Sequence, residues 1–573
     1  MFEMSGAELI IELLKQHGIT QVAGIPGGFN LPLYDAMARD GHIEHILARH
    51  EQGAGFMAQG MARSTGRAAV CFATSGPGAT NVLTALADAR LDAVPIICIT
   101  GQVPTAMLGT DAFQEVDIVS AATSITKKSV RVTDAVSLLT IIPDAFHDAL
   151  SGKPGPVLID VPKDIQLQRI AFSAYPQVRP NRRLDTTDAD TSTLNAVAQR
   201  IDSAKRPILY LGGGAIHNGG ADAAIRLAER CDIPTVCTLM ALGAMKTTHP
   251  LYLGMGGMHG DVHTNTALDR CDLLIAVGTR FGDRSTGQID AFCKRATVIH
   301  INISPKELNR LKKADIAIAG DAASILDALH HRLRPQKHMR WKREINALRS
   351  RVSNESPESR WPQMVIATVA RHCPDALITT DVGQHQMWTA RHFPFSFPGQ
   401  WLTSGGLGTM GFGLPAAIGA ALAHPLKQVV CFSGDGSILM NIQELAVLAE
   451  RQLNVKIVLF NNCALGLVAQ QQDLFFGERR FASEFDLSPQ FEMIAAGFGI
   501  QSMTLDTLNM SSSSSKDFAS LAKLFHTRGP CLVNVPIDAN AKVLPMVPPG
   551  AANREMITRE PPSGRAMIRS CSS

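Results

Sequence analysis

Residues 434–462, "GDGSILMNIQELAVLAERQLNVKIVLFNN", decide the fold. The stretch is entered by "QVVCFS" (428–433) and ends on "VKIVLF" (455–460) before its Asn pair, two short apolar runs that read as buried strands. Between them "MNIQELAVLAERQ" (440–452) spaces Ile442, Leu445, Val447, Leu448 and Arg451 as an amphipathic helix does. In a strand–helix–strand unit the two strands run parallel, as neighbours or near neighbours. Asp435 and Asn462, 27 positions apart, therefore fall at the carboxyl ends of two strands, where an open α/β sheet binds its ligands. Two hard oxygen donors suit Mg2+ or Ca2+ and not zinc. Gly434 and Gly436 let a backbone approach closely beside a helix start that favours phosphate, with Ser437 next in line. The reading is a metal–diphosphate site. A dinucleotide fingerprint needs a third glycine where Leu439 stands, and the Gly-Lys-Ser/Thr of a Walker A loop is absent. For an isolated segment the alternative is a glycine turn with an Asp helix cap, followed by an Asn-Asn turn.

The 573 residues, 45% of them hydrophobic, are enough for about three to four domains with large cores. A net charge of +3 implies no nucleic-acid partner and no acidic surface. The 11 cysteines are odd in number and lack CxxC spacing, which fits reduced thiols and a cytoplasmic location. "MFEMSGAELIIELL" has no basic n-region, so a signal peptide is not expected. No apolar run reaches about 18 residues, so no membrane span is expected either.

Three α/β blocks follow from the alternation of helical and strand patterns. Residues 1–168 carry strands such as "AAVCFAT", "VPIICITG" and "PVLIDV". Residues 191–340 carry "PILYLGGG", "PTVCTL", "LLIAVGT" and "TVIHINI", and residues 362–545 hold the metal motif. "YPQVRPNRRLDTTDADTS" reads as a linker, "KHMRWKREINALRSRVSNESPESR" as a helical bridge, and "MSSSSSK" as a mobile loop. Residues 546–573 form a tail, polar and expected to be flexible after 550. The weak likeness of "AAVCFATSGPGATN" (68–81) to "QVVCFSGDGSILMN" (428–441) points to one architecture shared by the first and third blocks.

The chain as a whole resembles the acetohydroxyacid synthase (acetolactate synthase) catalytic-subunit family of thiamine diphosphate enzymes. The resemblance rests on "RHEQGAGFMAQGMARSTG", "TSGPGATN", "GTDAFQEVD", "PGPVLIDVPKD", "TDVGQHQMW", "SGGLGTMGFGLPAA" and the 434–462 motif, in the family's order. "NNCALGLVAQQQDLFF" and "PMVPPGAANREM" are most similar to the bacterial isozyme I branch. The resemblance implies three doubly wound parallel-sheet domains: pyrimidine-binding (1–168), central FAD-binding (191–340) and diphosphate-binding (362–545).

It also implies roles. Glu51 bonds the aminopyrimidine ring and drives removal of the C2 proton of thiamine, against a plain reading as a helix first-turn acid. Val382, Gly383, Gln384 and His385 lie along the diphosphate; the Gly408 carbonyl and Met410 hold the bent cofactor; Asp435, Asn462 and the Ala464 carbonyl bind Mg2+. FAD, structural because the reaction has no net redox change, is expected at Lys153, Gly212, Gly213, Gly214, Thr238, Leu239, Met240, Met258, His259, Gly260, Gly278, Arg280, Asp283, Arg284, Asn302, Ile303 and Asp321. Two of these depart from most relatives: Asn302 replaces an aspartate and Lys153 an arginine, losing a charge and a planar fork.

The implied reaction decarboxylates pyruvate on the cofactor and condenses the hydroxyethyl carbanion with pyruvate or 2-oxobutyrate, the first common step towards the branched-chain amino acids. Phe113, Gln114 and Lys163 match residues at the substrate entrance, with core and surface charge as the plain readings for Phe113 and Lys163. Gln471 stands where most relatives carry a tryptophan that packs on the extra methyl of 2-oxobutyrate. The family further implies a homodimer or homotetramer, with Glu51 from one subunit and the diphosphate site from another, and a small regulatory subunit. Pyruvate oxidase and sulfoacetaldehyde acetyltransferase are disfavoured by "GTDAFQE" and "PPGAANREM", and glyoxylate carboligase by the presence of Glu51. An inactive flavin-binding paralogue is disfavoured by intact Glu51, Asp435 and Asn462.

Overall fold

The computed structural model describes residues 1–178, 189–351, 360–505 and 515–559. Most of the linker, the end of the bridge, most of the serine run and the tail beyond 559 lie outside the described residues. Apolar runs become strands covered on both faces, and the chain folds into three six-stranded parallel sheets.

An antiparallel pair, β1 (Phe2–Ser5) with β8 (Arg169–Phe172), brackets the first sheet. That sheet contains β2 (Gln21–Gly24), β3 (Glu44–Leu47), β4 (Ala69–Ala73), β5 (Ile96–Gln102), β6 (Lys128–Arg131) and β7 (Val157–Pro162), in the order β3-β2-β4-β5-β7-β6. The middle sheet contains β9 (Pro207–Leu211), β10 (Thr235–Cys237), β11 (Tyr252–Met255), β12 (Leu273–Val277), β13 (Thr297–Asn302) and β14 (Ile316–Ala319), in the order β11-β10-β9-β12-β13-β14. The third contains β15 (Leu377–Thr380), β16 (Trp401–Thr403), β17 (Val429–Gly434), β18 (Val455–Asn461), β19 (Gln501–Thr504) and β20 (Cys531–Pro536), in the order β16-β15-β17-β18-β20-β19. Counted within each block, the first and third sheets share one order, second-first-third-fourth-sixth-fifth, and the two sequences that looked alike begin on equivalent strands, β4 and β17. The middle sheet has the order of dinucleotide-binding folds.

β17 and β18 are direct parallel neighbours, as the strand–helix–strand reading requires. The connection differs in detail from a single helix over 440–452. Asp435 opens a short helix, Asp435–Ile438, the chain then turns at Ile442–Glu444, and only Leu445–Glu450 is α-helical. Asn441 makes the break, because its side chain donates to the Gly411 carbonyl at 2.7 Å. The bridge forms the helix Met339–Arg351, whose buried Trp341 donates to the Pro207 carbonyl at 3.2 Å. Residues 546–559 dock on the middle block, and 551–559 among them differ from the flexible tail expected after 550. Val547 and Ala552 are buried, the Val547 amide donates to the Met258 carbonyl at 2.8 Å, and Ala552 pairs with Gly287 of the middle block. Every described cysteine is a free thiol, and no described helix is long and apolar enough to cross a membrane.

The first and third blocks share a core in which the helix Glu51–Thr65 lies against the helix Gly413–Ala423. Their backbones touch. A Cβ on Gly60 would stand 2.1 Å from the Ala416 carbonyl oxygen, and one on Gly419 only 1.9 Å from that of Met57. Gly419→Ala should therefore force the helices apart and destabilise the protein by about 1–3 kcal/mol. Urea unfolding checks this: an unchanged midpoint and slope would rule out the contact as described.

Candidate functional site

The third sheet changes direction between β15 and β17, and ligands bind in the crevice outside such a switch point. Val382, Gly383, Gln384 and His385 follow β15, while Gly434 ends β17 and leads into Asp435 and Ser437. The Ser437 hydroxyl donates to the Val382 carbonyl at 3.1 Å and ties the two sides together. Asp435 is buried, accepts from the Ala464 amide at 3.2 Å, and is pushed up to about 6 by burial, against the pull of the Gly436 and Ala464 amides. Asn462 donates to Gln384 Oε1 at 3.2 Å, which leaves its own amide oxygen available. Between Asn462 and Ala464, Cys463 takes φ 55°, a left-handed conformation uncommon for a side-chain-bearing residue. The sequence thus brings Asp435, Asn462 and Ala464 to one corner. Among the described residues no cluster of three or more His, Cys, Asp or Glu could hold a metal, so a cation here depends on one carboxylate with amide and carbonyl oxygens.

Glycines keep this corner open. A Cβ on Gly434 would lie 2.9 Å from His385 Nδ1, and one on Gly466 would lie 2.2 Å from Gln384 Oε1. A Cβ on Gly436 would meet Leu465 at 2.7 Å. His385 is buried with Nε2 unpartnered, and burial drives its imidazole down to about 3, so it is neutral. Gln384 also donates to the Ala541 carbonyl at 2.6 Å and to Gln470 Oε1 at 3.2 Å.

Gly408 and Met410 sit on the loop after β16, which is held by carboxylates the sequence reading did not single out. Asp381, wholly buried, accepts from the Gly413 amide at 2.8 Å and from the Ser433 hydroxyl at 2.5 Å, and so joins the segments before Val382, after Met410 and before Gly434. From the first block, Asp88 accepts from the hydroxyls of Ser404 and Thr409, and Asp92 from the Gly405 amide at 3.0 Å. Arg63 pairs with both, at 3.1 and 2.9 Å. Burial raises the Asp88 carboxyl, and the Arg63 charge opposes the rise. Ser404 Oγ in turn accepts from the amides of Gly408 and Thr409 at 3.0 and 2.8 Å.

Glu51 begins its helix at the edge of the first sheet and accepts from Asn81 Nδ2 at 2.9 Å. Its carboxylate lies 3.2 Å from where a Cβ on Gly78 would be. The hydrogen bonds of Glu51 stay in the first block, and those of Asp435, Asn462 and Gln384 in the third. Gln114 takes φ 62° against Gly76, and Phe113 beside it is 80% exposed, which excludes a core role. Lys163 lies 5.9 Å over the Phe29 ring.

In the middle sheet the direction reverses between β9 and β12, and Gly212 and Gly278 follow those two strands. They pack backbone to backbone: a Cβ on Gly212 would lie 2.4 Å from the Gly278 carbonyl oxygen, and the Gly214 amide donates to that oxygen at 2.9 Å, with Gly213 between them. Thr238, Leu239 and Met240 follow β10; Met258, His259 and Gly260 follow β11; Asn302 ends β13 and precedes Ile303; Asp321 follows β14. Residues expected at the central site thus gather at the carboxyl end of every strand. His259 is buried with Nδ1 unpartnered and is pushed down to about 3 by burial, then by the charges of Arg391 and Arg284. Asn302 donates to the Thr279 carbonyl at 2.9 Å and accepts from the Ser304 amide at 3.0 Å, while Asp321 caps its helix through the Ser324 amide. Lys153 reaches from the first block to Glu307 at 2.7 Å, and Arg280 donates to the Leu91 carbonyl at 3.1 Å. Asp283 and Arg284 are exposed and loosely paired at 3.7 Å.

Of three consecutive glutamines on the helix Gly466–Phe475, Gln470 is locked to Val543 by bonds of 2.7 and 3.0 Å and Gln472 to Ser483 at 2.6 Å. Gln471 is half-buried and makes no side-chain hydrogen bond among the described residues.

Three domain descriptions match the chain: "Thiamine pyrophosphate enzyme, N-terminal TPP binding domain" over residues 4–121, "central domain" over 194–329 and "C-terminal TPP binding domain" over 381–535. The chain is 50% identical over 558 residues to the Escherichia coli (strain K12) protein named acetolactate synthase isozyme 1 large subunit, covering 96% of this chain and 97% of that one. It is 43% identical to the isozyme 2 large subunit of the same organism, over 97% of this chain and 100% of that one. It is 41% identical to acetolactate synthase 1, chloroplastic, of Zea mays, over 96% and 88%.

Proposed function

The chain belongs to the acetolactate synthase large-subunit family of thiamine pyrophosphate enzymes, and on that premise we propose how its own residues serve the reaction. It is an acetolactate synthase: it decarboxylates pyruvate and joins the remaining two-carbon unit to a second 2-oxoacid, for branched-chain amino-acid biosynthesis. Thiamine diphosphate, when bound, supplies the nucleophilic carbon and the electron sink.

The observation that carries the assignment is the corner at the β15–β17 switch point. The unpartnered, neutral His385 Nε2, the glycine-lined space beside Gln384 and Asn462, and the short helix opened by Asp435 fit a diphosphate. The oxygens of Asp435, Asn462 and Ala464 fit Mg2+ and would suit zinc poorly. Gly408, Met410 and their pinned loop orient the pyrimidine, and Glu51 shares a proton with its ring nitrogen. Phe113, Gln114 and Lys163 border the substrate entrance, and Gln471 the acceptor pocket. FAD takes the middle sheet, where the buried His259 Nδ1 and the Gly212–Gly278 cradle are suited to it. The enzyme acts in the cytoplasm as a homodimer or larger assembly in which Glu51 of one chain meets the diphosphate site of another. This is supported by the separate hydrogen-bond sets of the two half-sites and by the exposure of Leu407 and Met440 beside them. The relatives' name "large subunit" supports a small regulatory partner.

Asp435→Ala removes the one carboxylate from the metal corner, so the affinities for thiamine diphosphate and Mg2+ should fall together, each being the other's ligand. Titration calorimetry giving unchanged cofactor affinity would show that the corner is not the metal–diphosphate site. For the acceptor, one methylene in an apolar pocket is worth roughly 1–3 kcal/mol, about 10–200-fold. Gln471 offers a polar, unpaired amide there, so the native preference for 2-oxobutyrate over pyruvate should be weak, and Gln471→Trp should raise it several-fold. The same product ratio before and after the change in mixed substrate would remove Gln471 from the pocket.

A further inference from the structure

Glu444 has no role in the reading above, yet it is a wholly buried carboxylate aimed across the interface between the third and first blocks. It accepts from the Arg49 amide at 3.0 and 3.2 Å and from the His50 amide at 3.0 Å. These are the two backbone donors immediately before Glu51, and His50 is itself the N-cap of the Glu51 helix, accepting from the Gln52 amide at 3.1 Å. The approach is close: a Cβ on Gly53 would lie 2.5 Å from Glu444 Oε1, so any larger residue there would displace the carboxylate. The surrounding pairs run the same way: Arg49 with Glu450, Arg451 with Glu44, and Arg451 with the His45 carbonyl at 2.7 Å. The chain leading into Glu51 is thus docked along residues 444–451. Burial pushes the Glu444 carboxyl up to about 7 against the pull of the two amides, so the group is held there at a cost that bonds to Arg49 and His50 offset.

We propose that Glu444 is a positioning residue for Glu51: by gripping the amides of Arg49 and His50 it fixes the direction in which the first side chain of the helix projects, and so the geometry of proton transfer to the pyrimidine ring. The inference rests on the reading of Glu51 as the group that drives C2–H removal. A misplacement of about 1 Å from a residue outside the chemistry can cost on the order of 10²-fold, whereas loss of the acid itself costs about 10²–10⁴-fold.

The test uses the full chain reconstituted with thiamine diphosphate and Mg2+, reading C2–H exchange of the bound cofactor by quenched-flow NMR. Cofactor affinity and hydrogen exchange at the Arg49 and His50 amides of the cofactor-free protein are measured beside it. Glu444→Ala should slow C2–H exchange by about tenfold or more, keep thiamine diphosphate affinity within about threefold, and deprotect both amides. Gly53→Ala should do the same by pushing the carboxylate off, and it carries the test if Glu444→Ala does not fold. Glu444→Gln, which retains an acceptor, should recover most of the rate. Added to Glu51→Gln, Glu444→Ala should slow exchange little further, because residues acting through one another are not additive. If Glu51→Gln is slow while Glu444→Ala and Gly53→Ala exchange at the wild-type rate, or if the double variant is slowed by the full product of the single effects, the positioning role is overturned and that of Glu51 stands. Wild-type exchange in Glu51→Gln overturns both.

Discussion

Backbone-to-backbone contact between two helices is the constraint on which the catalytic architecture depends. Gly60 against Ala416 and Gly419 against Met57 bring the helices Glu51–Thr65 and Gly413–Ala423 closer than any side chain would allow. Each helix begins at a segment of the proposed site: the first at Glu51, the second just after Gly408 and Met410. Once their middles touch, both segments are fixed to one rigid unit. Buried carboxylates then secure the ends. Glu444 of the third block holds the entry to the first helix, and Asp88 and Asp92 of the first block, joined to Arg63 near that helix's end, hold the loop before the second. Each block therefore anchors the functional segment of the other.

The first and third sheets share one strand order but have divided the work. In both, a glycine turn follows the third strand of the block at a switch point. In the third sheet that turn carries Asp435, with Asn462 on the neighbouring strand connection, so hard oxygen donors collect there. In the first it carries Thr74, Ser75 and the Gly76–Pro77–Gly78 turn, with no carboxylate of its own, and Glu51 approaches from the adjacent helix. The proposed cation–diphosphate site lies at one edge and the proposed proton-transferring acid at the other. The middle sheet, with its own reversal between β9 and β12, contributes a third crevice, and the first block reaches it through Lys153.

Much of this was legible in the sequence because it is local. Apolar runs of strand length, glycine turns and the Asp435–Asn462 spacing are all set within about 30 residues, the size of one strand–helix–strand unit. The positions that escaped are those whose meaning depends on distant partners. Asp88 meets Ser404 across 316 positions and Glu444 meets Arg49 across 395. A lone acid in a helical pattern carries no sign that it is buried. Asp381 stood inside a quoted motif but gave no hint that it joins three segments. The helix expected over 440–452 was broken by Asn441, whose preference for a distant carbonyl outweighed a sound apolar period. The residues after 550 were polar enough to suggest freedom, yet Ala552 is buried and pairs with Gly287, and Asn553 donates to the Ser285 carbonyl at 3.2 Å.

In the proposed assembly the two halves of the catalytic site, Glu51 with the first sheet and Asp435 with the third, come from different chains. Mixing two inactive variants distinguishes this from a site built within one chain. Glu51→Gln and Asp435→Ala protein, dissociated and reassembled together with thiamine diphosphate, Mg2+ and pyruvate, should regain activity. With statistical exchange, half the dimers are mixed and each mixed dimer has one intact site, so about a quarter of wild-type activity per chain is expected. If both halves belonged to a single chain, every site in the mixture would carry one defect, and activity no higher than that of the separate variants would contradict the claim.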